Sequence, residues 1–164
     1  MNQYLQSKRP VCRSTVTSLL VIALMVLLSA CGGTPKREGI DMQVSTTMDV
    51  NPDMQGRPSP IILYILELSS TERFNRLDYM SLTHPSGTAL GPELLGKNQL
   101  VLQPGERREL PLELNPLTTS IGLVAGYRNI DNATWRTNVP INQGDTKSIS
   151  VTLEQQQIVI FVSD

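Results

Sequence analysis

The sequence predicts an all-β domain, either a β-sandwich or a barrel of short strands, and three observations support this prediction. Several segments alternate apolar and polar residues with the period of two that a half-buried strand requires. Turn-forming pairs such as Pro104-Gly105 and Gly144-Asp145 separate these segments. Two further segments are continuous apolar runs of strand length. Short strands at this spacing are typical of sandwiches and barrels, and no Cys…Trp…Cys pattern indicates an immunoglobulin domain.

The eight candidate strands differ in how clearly they alternate. The clearest is 147–154, KSISVTLE, in which Ile, Val and Leu alternate with Ser and Thr. In 109–114, ELPLEL, three leucines point inward and Pro111 points out, which predicts an edge strand because proline cannot donate a ladder hydrogen bond. The stretches 60–68 (PIILYILEL) and 157–162 (QIVIFV) contain nearly continuous apolar runs, so we expect both strands to be covered on two faces. The remaining candidates are residues 39–45, 98–102, 120–128 and 135–141.

Residues 69–95 interrupt the strand pattern and predict a short helical insertion after the second strand. Ser69 and Glu72 have the Ser-x-x-Glu spacing of a capping box. The apolar residues that follow at helical spacing are Phe74, Leu77 and Met80. We expect Phe74 and Leu77 to cover an open face of a sheet.

Two short stretches are expected to end the helical structure. His84-Pro85-Ser86-Gly87 breaks the helix, and His84 should face solvent. GPELLG (91–96) then predicts one further turn, with Pro92 at its start and Gly96 just past its end.

Residues 1–30 have the composition of an export signal. Lys8, Arg9 and Arg13 give a basic start, the ten apolar residues 19–28 follow, and Ser29-Ala30 supplies small residues. A membrane-spanning helix needs about 20 apolar residues, so we expect a cleaved signal and not an anchor.

Cys31 follows this segment, and four roles are open to it: half of a disulfide, a metal ligand, a core thiol or a modified residue. The only other cysteine, Cys12, lies in the segment expected to be removed, so a disulfide would lack a partner. The single histidine makes a metal site weak, and the Gly-rich surroundings disfavour a core thiol. Leu28-Ser29-Ala30-Cys31 resembles the bacterial lipobox. This resemblance implies that Cys31 becomes the first residue of the mature chain and carries an S-diacylglycerol and an N-acyl (palmitate) chain.

The lipobox resemblance also implies a location. An aspartate after the cysteine tends to retain lipoproteins in the inner membrane, and Gly32 stands there instead, which implies the inner leaflet of the outer membrane. We expect residues 31–39 to be a flexible leader and 40–164 to form one domain in the periplasm. Removing residues 1–30 takes three of 14 basic residues and none of 15 acidic ones, leaving a net charge of −4. That balance, without a basic block, excludes a typical nucleic-acid binder.

The sequence shows no catalytic constellation. It lacks a Gly-x-Ser-x-Gly elbow, a His-Glu-x-x-His pair and a glycine-rich phosphate loop, so we expect no enzyme and no metal or cofactor besides the lipid. Glu106, Glu109 and Glu113 are interpreted as the solvent face of a hairpin. Arg128 and Arg136 flank a turn and are expected to pair with nearby carboxylates. Trp135 shares the apolar register of Val139 and Ile141, which predicts a core position.

The connection between the first two strands, residues 46–60, is unusually long for neighbouring strands. It contains three prolines and a glycine in fifteen residues, whereas a hairpin needs only about 2–5 residues and longer loops are often functional. Its apolar residues Met48, Val50 and Met54 allow two interpretations. They fold back over the end of the domain, or they bind a partner.

Five stretches in chain order resemble the outer-membrane lipoprotein family of type VI secretion systems (TssJ, SciN or VasD). They are 51–68 (NPDMQGRPSPIILYILEL), Phe74 with 77–80 (LDYM), 90–95 (LGPELL), 102–106 (LQPGE) and 121–136 (IGLVAGYRNIDNATWR). The chain departs from the family at Asn129, where an aspartate is more usual, and at Tyr79 and Met80, where two phenylalanines are common.

This resemblance implies a two-sheet β-sandwich of transthyretin-like type with a helical insertion after strand two. It also implies a tether that binds the periplasmic C-terminal region of the inner-membrane protein TssM through the 46–60 loop. The exposed partner-binding candidates are Met48, Asp49, Val50, Asn51, Asp53, Met54 and Gln55. Replacing residues 48–55 by a Gly/Ser stretch should then abolish binding and leave the fold intact. A small-ligand-binding lipoprotein and a pilot or stabiliser of another envelope machine are the alternatives.

Overall fold

The predicted strands assemble into two sheets, and their alternating residues face the core or the solvent. The computed structural model describes residues 39–142 and 148–163, so the signal segment, Cys31 and Gly32 lie outside the described residues. All eight expected strands are present. They are β1 (Gly39–Thr46), β2 (Ile61–Leu68), β3 (Leu94–Leu102), β4 (Arg107–Glu113), β5 (Ser120–Ala125), β6 (Arg136–Pro140), β7 (Ser148–Leu153) and β8 (Ile158–Ser163).

The strands form two four-stranded sheets, in the orders β4-β1-β7-β8 and β3-β2-β5-β6. Neighbouring strands are antiparallel except β1 and β7, which are parallel. One apolar core between the sheets contains the inward residues of both, among them Met42 and Val151 from one sheet and Leu63 and Leu123 from the other. The predicted two-sheet sandwich is therefore confirmed. Pro111 is exposed on the edge strand β4, as predicted.

The helical insertion covers the outer face of the second sheet. It contains α1 (Glu72–Arg76), α2 (Tyr79–Thr83) and a 3₁₀ turn, Gly91–Glu93. Phe74 is fully buried in a second apolar cluster, and Leu77 packs against that cluster, as expected. β2 is thus covered on both faces.

For β8 the prediction of two covered faces is wrong. β8 is the outermost strand of its sheet, and its Phe161 and Val162 side chains are 70% and 45% exposed. A continuous apolar run indicates a strand, but it does not show how many neighbours the strand has.

Two predicted details of the helix ends are also wrong. Ser69 does not cap α1: Thr71 precedes that helix without a side-chain capping bond, and the Ser69 hydroxyl donates instead to the Glu93 carbonyl at 3.4 Å. The clear cap belongs to α2, where the Asp78 carboxylate accepts a hydrogen bond from the Ser81 N–H at 2.7 Å. Gly96 lies inside β3 and does not follow a turn. His84 follows α2 and is exposed, as predicted.

Arg136 holds the insertion against the sheet, and among residues 39–142 and 148–163 it pairs with no carboxylate, which corrects the prediction for this residue. Its guanidinium donates to the carbonyl oxygens of Phe74 at 3.1 Å and Leu77 at 2.7 Å. It also lies 5.0 Å from the ring centroid of Trp135. Trp135 is half-buried and packs against both apolar clusters, which agrees with the predicted core position.

Candidate partner-binding surface

Four connections meet at one end of the sandwich. They join β1 to β2 (47–60), β3 to β4 (103–106), β5 to β6 (126–135) and β7 to β8 (154–157). Because β1 is antiparallel to β4 and parallel to β7, these connections share the end at which β1 finishes. Gly39, the first residue of β1, is therefore at the opposite end. We call the shared end the loop end.

Two of the predicted contact residues in the 47–60 loop are buried, which corrects the expectation that they are exposed. Val50 is 0% exposed and belongs to the core between the sheets, so the loop does fold back at this point. The Val50 carbonyl accepts a hydrogen bond from the Ser59 N–H at 3.1 Å, which closes the base of the loop. Asn51 is 3% exposed.

Asn51 connects three segments of the loop end. Its side-chain NH₂ donates to the Pro60 carbonyl at 2.8 Å, and its Oδ1 accepts from the Arg128 N–H at 2.8 Å. Its own N–H donates to the Gln155 carbonyl at 3.2 Å. The residue has φ 50°, a left-handed conformation that asparagine tolerates better than most residues. Asn51 therefore fixes the loop and is not available to a partner.

Beyond Asn51, the loop tip is held by an ion pair. Oδ1 of Asp53 accepts from the N–H groups of Gln55 and Arg57, both at 2.9 Å, and Oδ2 accepts from the Arg57 guanidinium at 2.7 Å. These bonds, first of all the one from the Arg57 N–H, hold the pKa of Asp53 below its ordinary value. Gly56 has φ 76°, which glycine adopts without strain.

The remaining predicted contact residues are at the surface. Met54 is 99% exposed at the tip, and Met48 is 74% exposed at the base of the loop. Asp49 and Gln55 are exposed, and Asp53 is half-buried. Met48 lies against Gly105, because a Cβ at that glycine would overlap the Met48 sulfur. The loop therefore presents two methionines on a backbone that hydrogen bonds hold in place.

A groove of about 630 Å³ runs beside the loop tip. Its lining combines five loop residues with residues of the two neighbouring connections: Pro52, Asp53, Met54, Gln55, Arg57, Arg128, Asn129 and Gln156. Arg57, Asn129 and Gln156 are site residues that the sequence did not predict, and for Arg128 it predicted a carboxylate partner. None of the described salt bridges includes Arg128. The sequence did contain a signal for these residues, because each lies in a connection between two predicted strands at the loop end.

A second groove of about 490 Å³ lies on the other side of the loop. It is polar, and its lining is Thr47, Asp49, Asn132, Thr134 and residues 154–157. The buried Tyr127 holds the backbone of one lining residue, because its hydroxyl donates to the Gln157 carbonyl at 2.6 Å. Burial raises the pKa of Tyr127, so the hydroxyl keeps the proton that this bond needs.

The loop end presents open, largely polar surfaces. Within the part of the chain that the structure describes, no three Cys, His, Asp or Glu residues form a group that could hold a metal ion. Both grooves are open to solvent and have charged or polar linings, whereas a small-ligand site is usually a deep, mostly apolar pocket. Among the described residues, no helix has the length and hydropathy needed to cross a membrane.

Comparison with known proteins gives the family. The family model described as type VI secretion lipoprotein (VasD, EvfM, TssJ) matches residues 38–156. No curated protein matches the chain. Several solved structures are similar to it, and in the three described below the matched chain is covered almost completely.

The lipoprotein TssJ1 of Pseudomonas aeruginosa is 30% identical with a TM-score of 0.75, and the match covers 78% of this chain and 98% of that one. Lip of Serratia marcescens, described as a membrane-bound component of the type VI secretion system, is 24% identical with a TM-score of 0.70, over 76% and 97% of the two chains. A chain in a structure described as the TssM C-terminal domain (869-1107) from EAEC shares the fold, with 16% identity and a TM-score of 0.62 over 76% and 98%.

The family model spans most of the chain, and TssJ1 shares the sandwich over nearly its whole length. This chain therefore belongs to the type VI secretion lipoprotein family.

Proposed function

We propose that this protein is a structural lipoprotein that tethers a type VI secretion envelope complex to the outer membrane. In this proposal, acylated Cys31 holds the chain in the inner leaflet of that membrane. The loop end binds the periplasmic C-terminal region of TssM. The family membership supports the secretion role, and the geometry of the 47–60 loop supports the position of the contact.

The observation that carries the proposal is the presentation of Met48 and Met54. An exposed methionine on a flexible loop has no fixed position, so a partner must order the loop before it can make the contact. Here Val50 is inserted in the core, and Asn51 and Asp53 hold the backbone through hydrogen bonds. A fixed loop loses less conformational entropy on binding than a free one, so more of the contact energy appears as affinity.

The strand topology supports a tether with its anchor at one end of the sandwich and its partner contact at the other. The chain enters the sandwich at Gly39, at the end opposite the loop end. An anchor that precedes Gly39 would therefore join the sandwich at the end that does not carry the loop end's four connections.

Replacing the whole stretch 48–55 by Gly/Ser would not test the contact cleanly, contrary to the expectation from the sequence. That change removes Val50 from the core, and burial of such a side chain contributes about 1.5–3 kcal/mol. It also removes the hydrogen bonds of Asn51. Lost binding could then come from a lost fold.

The test therefore changes only the two exposed methionines. Met48→Gln with Met54→Gln keeps side-chain length and removes apolar contact. With the full chain extracted in detergent, we expect the affinity for the TssM C-terminal region to fall by about tenfold or more. Met80→Gln is the matched control, because Met80 is 75% exposed on α2 and lines neither groove of the loop end. Undiminished affinity of the double variant, or no binding by the wild-type chain, would refute the proposal.

The lipid is tested separately. Labelled palmitate should enter the wild-type protein and not the Cys31→Ser variant. Incorporation into Cys31→Ser would exclude Cys31 as the acylated residue.

A further inference from the structure

Arg128 is a charged residue of the loop end that lies outside the 47–60 loop. It lines the groove beside the loop tip and is exposed. The described salt bridges use Arg57, Arg73, Arg76 and Arg108, and Arg128 belongs to none of them. Its backbone is fixed, because its N–H donates to the buried Asn51 side chain. A cation is thus held at one wall of the groove.

The other charges of the groove neutralise each other. Asp53 and Arg57 form an ion pair at 2.7 Å, and backbone N–H groups occupy the second oxygen of Asp53. Asp53 is therefore already saturated with donors and does not compensate Arg128. The groove carries a net positive charge in a chain whose net charge is −1.

The rest of the lining suits a peptide. Oδ1 of Asn129 accepts a hydrogen bond from Asn132 at 2.8 Å, which leaves the amide N–H groups of Asn129 to donate outward. Gln156 adds a second amide across the groove, and Met54 gives the rim an apolar side chain that is almost completely exposed. A cation, amide donors and an apolar rim match a carboxylate, a peptide backbone and an apolar neighbour.

We propose that this groove binds an acidic segment of the envelope partner, with an Asp or Glu carboxylate paired to Arg128 and an adjacent apolar side chain against Met54. This inference rests on the proposed function and specifies the chemistry of the segment that the loop end recognises. The guanidinium can form two parallel hydrogen bonds to a carboxylate, which gives the contact geometric specificity.

The experiment measures the affinity of the full chain, in detergent, for the periplasmic C-terminal region of TssM at several NaCl concentrations. We expect Arg128→Glu to weaken binding by about tenfold or more. Arg128→Lys should weaken it less, because lysine keeps the positive charge but cannot form the two parallel hydrogen bonds of a guanidinium. We also expect affinity to depend less on salt in Arg128→Glu than in the wild type.

Arg107→Glu is the matched control. Arg107 is exposed on β4, forms none of the described salt bridges, and does not line the groove, yet its reversal changes the net charge equally. Its affinity should stay within about twofold of wild type. If the wild-type chain binds and Arg128→Glu binds with the same affinity, the groove proposal is wrong and the tether proposal is unaffected. Absence of wild-type binding overturns the tether itself.

Discussion

At the scale of single residues, Asn51 decides whether the loop end has a defined shape. Its amide is buried and bonded to Pro60 and Arg128, so truncation removes two hydrogen bonds and leaves the Pro60 carbonyl and the Arg128 N–H without this partner. We expect Asn51→Ala to lower the free energy of unfolding by about 1–3 kcal/mol. Urea unfolding of the purified protein measures this. Asn98→Ala, at an exposed position of β3, should change it by less than about 0.5 kcal/mol. An equal effect of both substitutions would contradict the role of Asn51.

The pKa of Asp53 is a second property of a single residue. The hydrogen bonds from Arg57 and Gln55 lower it below the ordinary value of 3.8. The ionised carboxylate therefore contributes stability at pH values above that value, and the contribution is lost as the pH falls through the lowered pKa. In an NMR titration, Asp53 should titrate below 3.8. Arg57→Ala should raise the midpoint but leave it lowered, because the backbone N–H at position 57 remains. A wild-type midpoint at or above 3.8 would show that the ion pair does not form.

The residue scale is also where sequence reasoning had least information. The composition of the 46–60 loop predicted a functional segment, and its exposed methionines were among the candidates. The burial of Val50 and Asn51 depends on contacts with distant positions, since the bond from Arg128 to Asn51 joins residues 77 positions apart. No local pattern in the loop contains that contact.

At the scale of elements, the position of α1 depends on the glycine beneath it. A Cβ at Gly122 would lie 2.8 Å from Cε2 of Phe74 and 2.9 Å from Cδ1 of Leu68, closer than side chains approach. We expect Gly122→Ala to displace the Phe74 ring and to destabilise the fold by about 1–3 kcal/mol. Gly39→Ala is the control, because a Cβ there has no atom within 4 Å.

Phe74→Leu provides the test of mechanism for that prediction. If the ring is what the new methyl group meets, the double variant should be destabilised by less than the sum of the single variants. Thermal unfolding of all three variants measures these effects. Additive effects would show that the new methyl group does not clash with the Phe74 ring.

The elements themselves were largely predictable, for a physical reason. Strands such as β1 and β7 have one buried and one exposed face, so their sequences alternate and all eight were found. The errors arose where the partner is remote. Ser69 satisfies a local capping pattern, but its hydroxyl bonds to Glu93, 24 residues away. Likewise, β8 has the composition of a covered strand and the position of an edge.

At the scale of the whole molecule, the proposed tether would use the sandwich as a spacer between its anchor and its partner surface. Seven residues lie between Cys31 and Gly39, and the eight Cα–Cα steps that join the two can span at most about 29 Å. The eight residues of β1 then carry the chain about 24 Å along the strand to the loop end. The partner surface is thus displaced from the point at which the chain enters the sandwich.

The residue after Cys31 should determine the membrane in which this spacer is anchored. Gly32 is the position at which an aspartate would favour retention in the inner membrane. We expect Gly32→Asp to move much of the protein from the outer- to the inner-membrane fraction in a sucrose-gradient separation. Its affinity for TssM in detergent should not change, because Gly32 precedes β1, which begins at the end opposite the loop end. Gly33→Asp adds the same charge one residue later and should leave the distribution unchanged. Outer-membrane recovery of Gly32→Asp equal to wild type would contradict sorting by this residue.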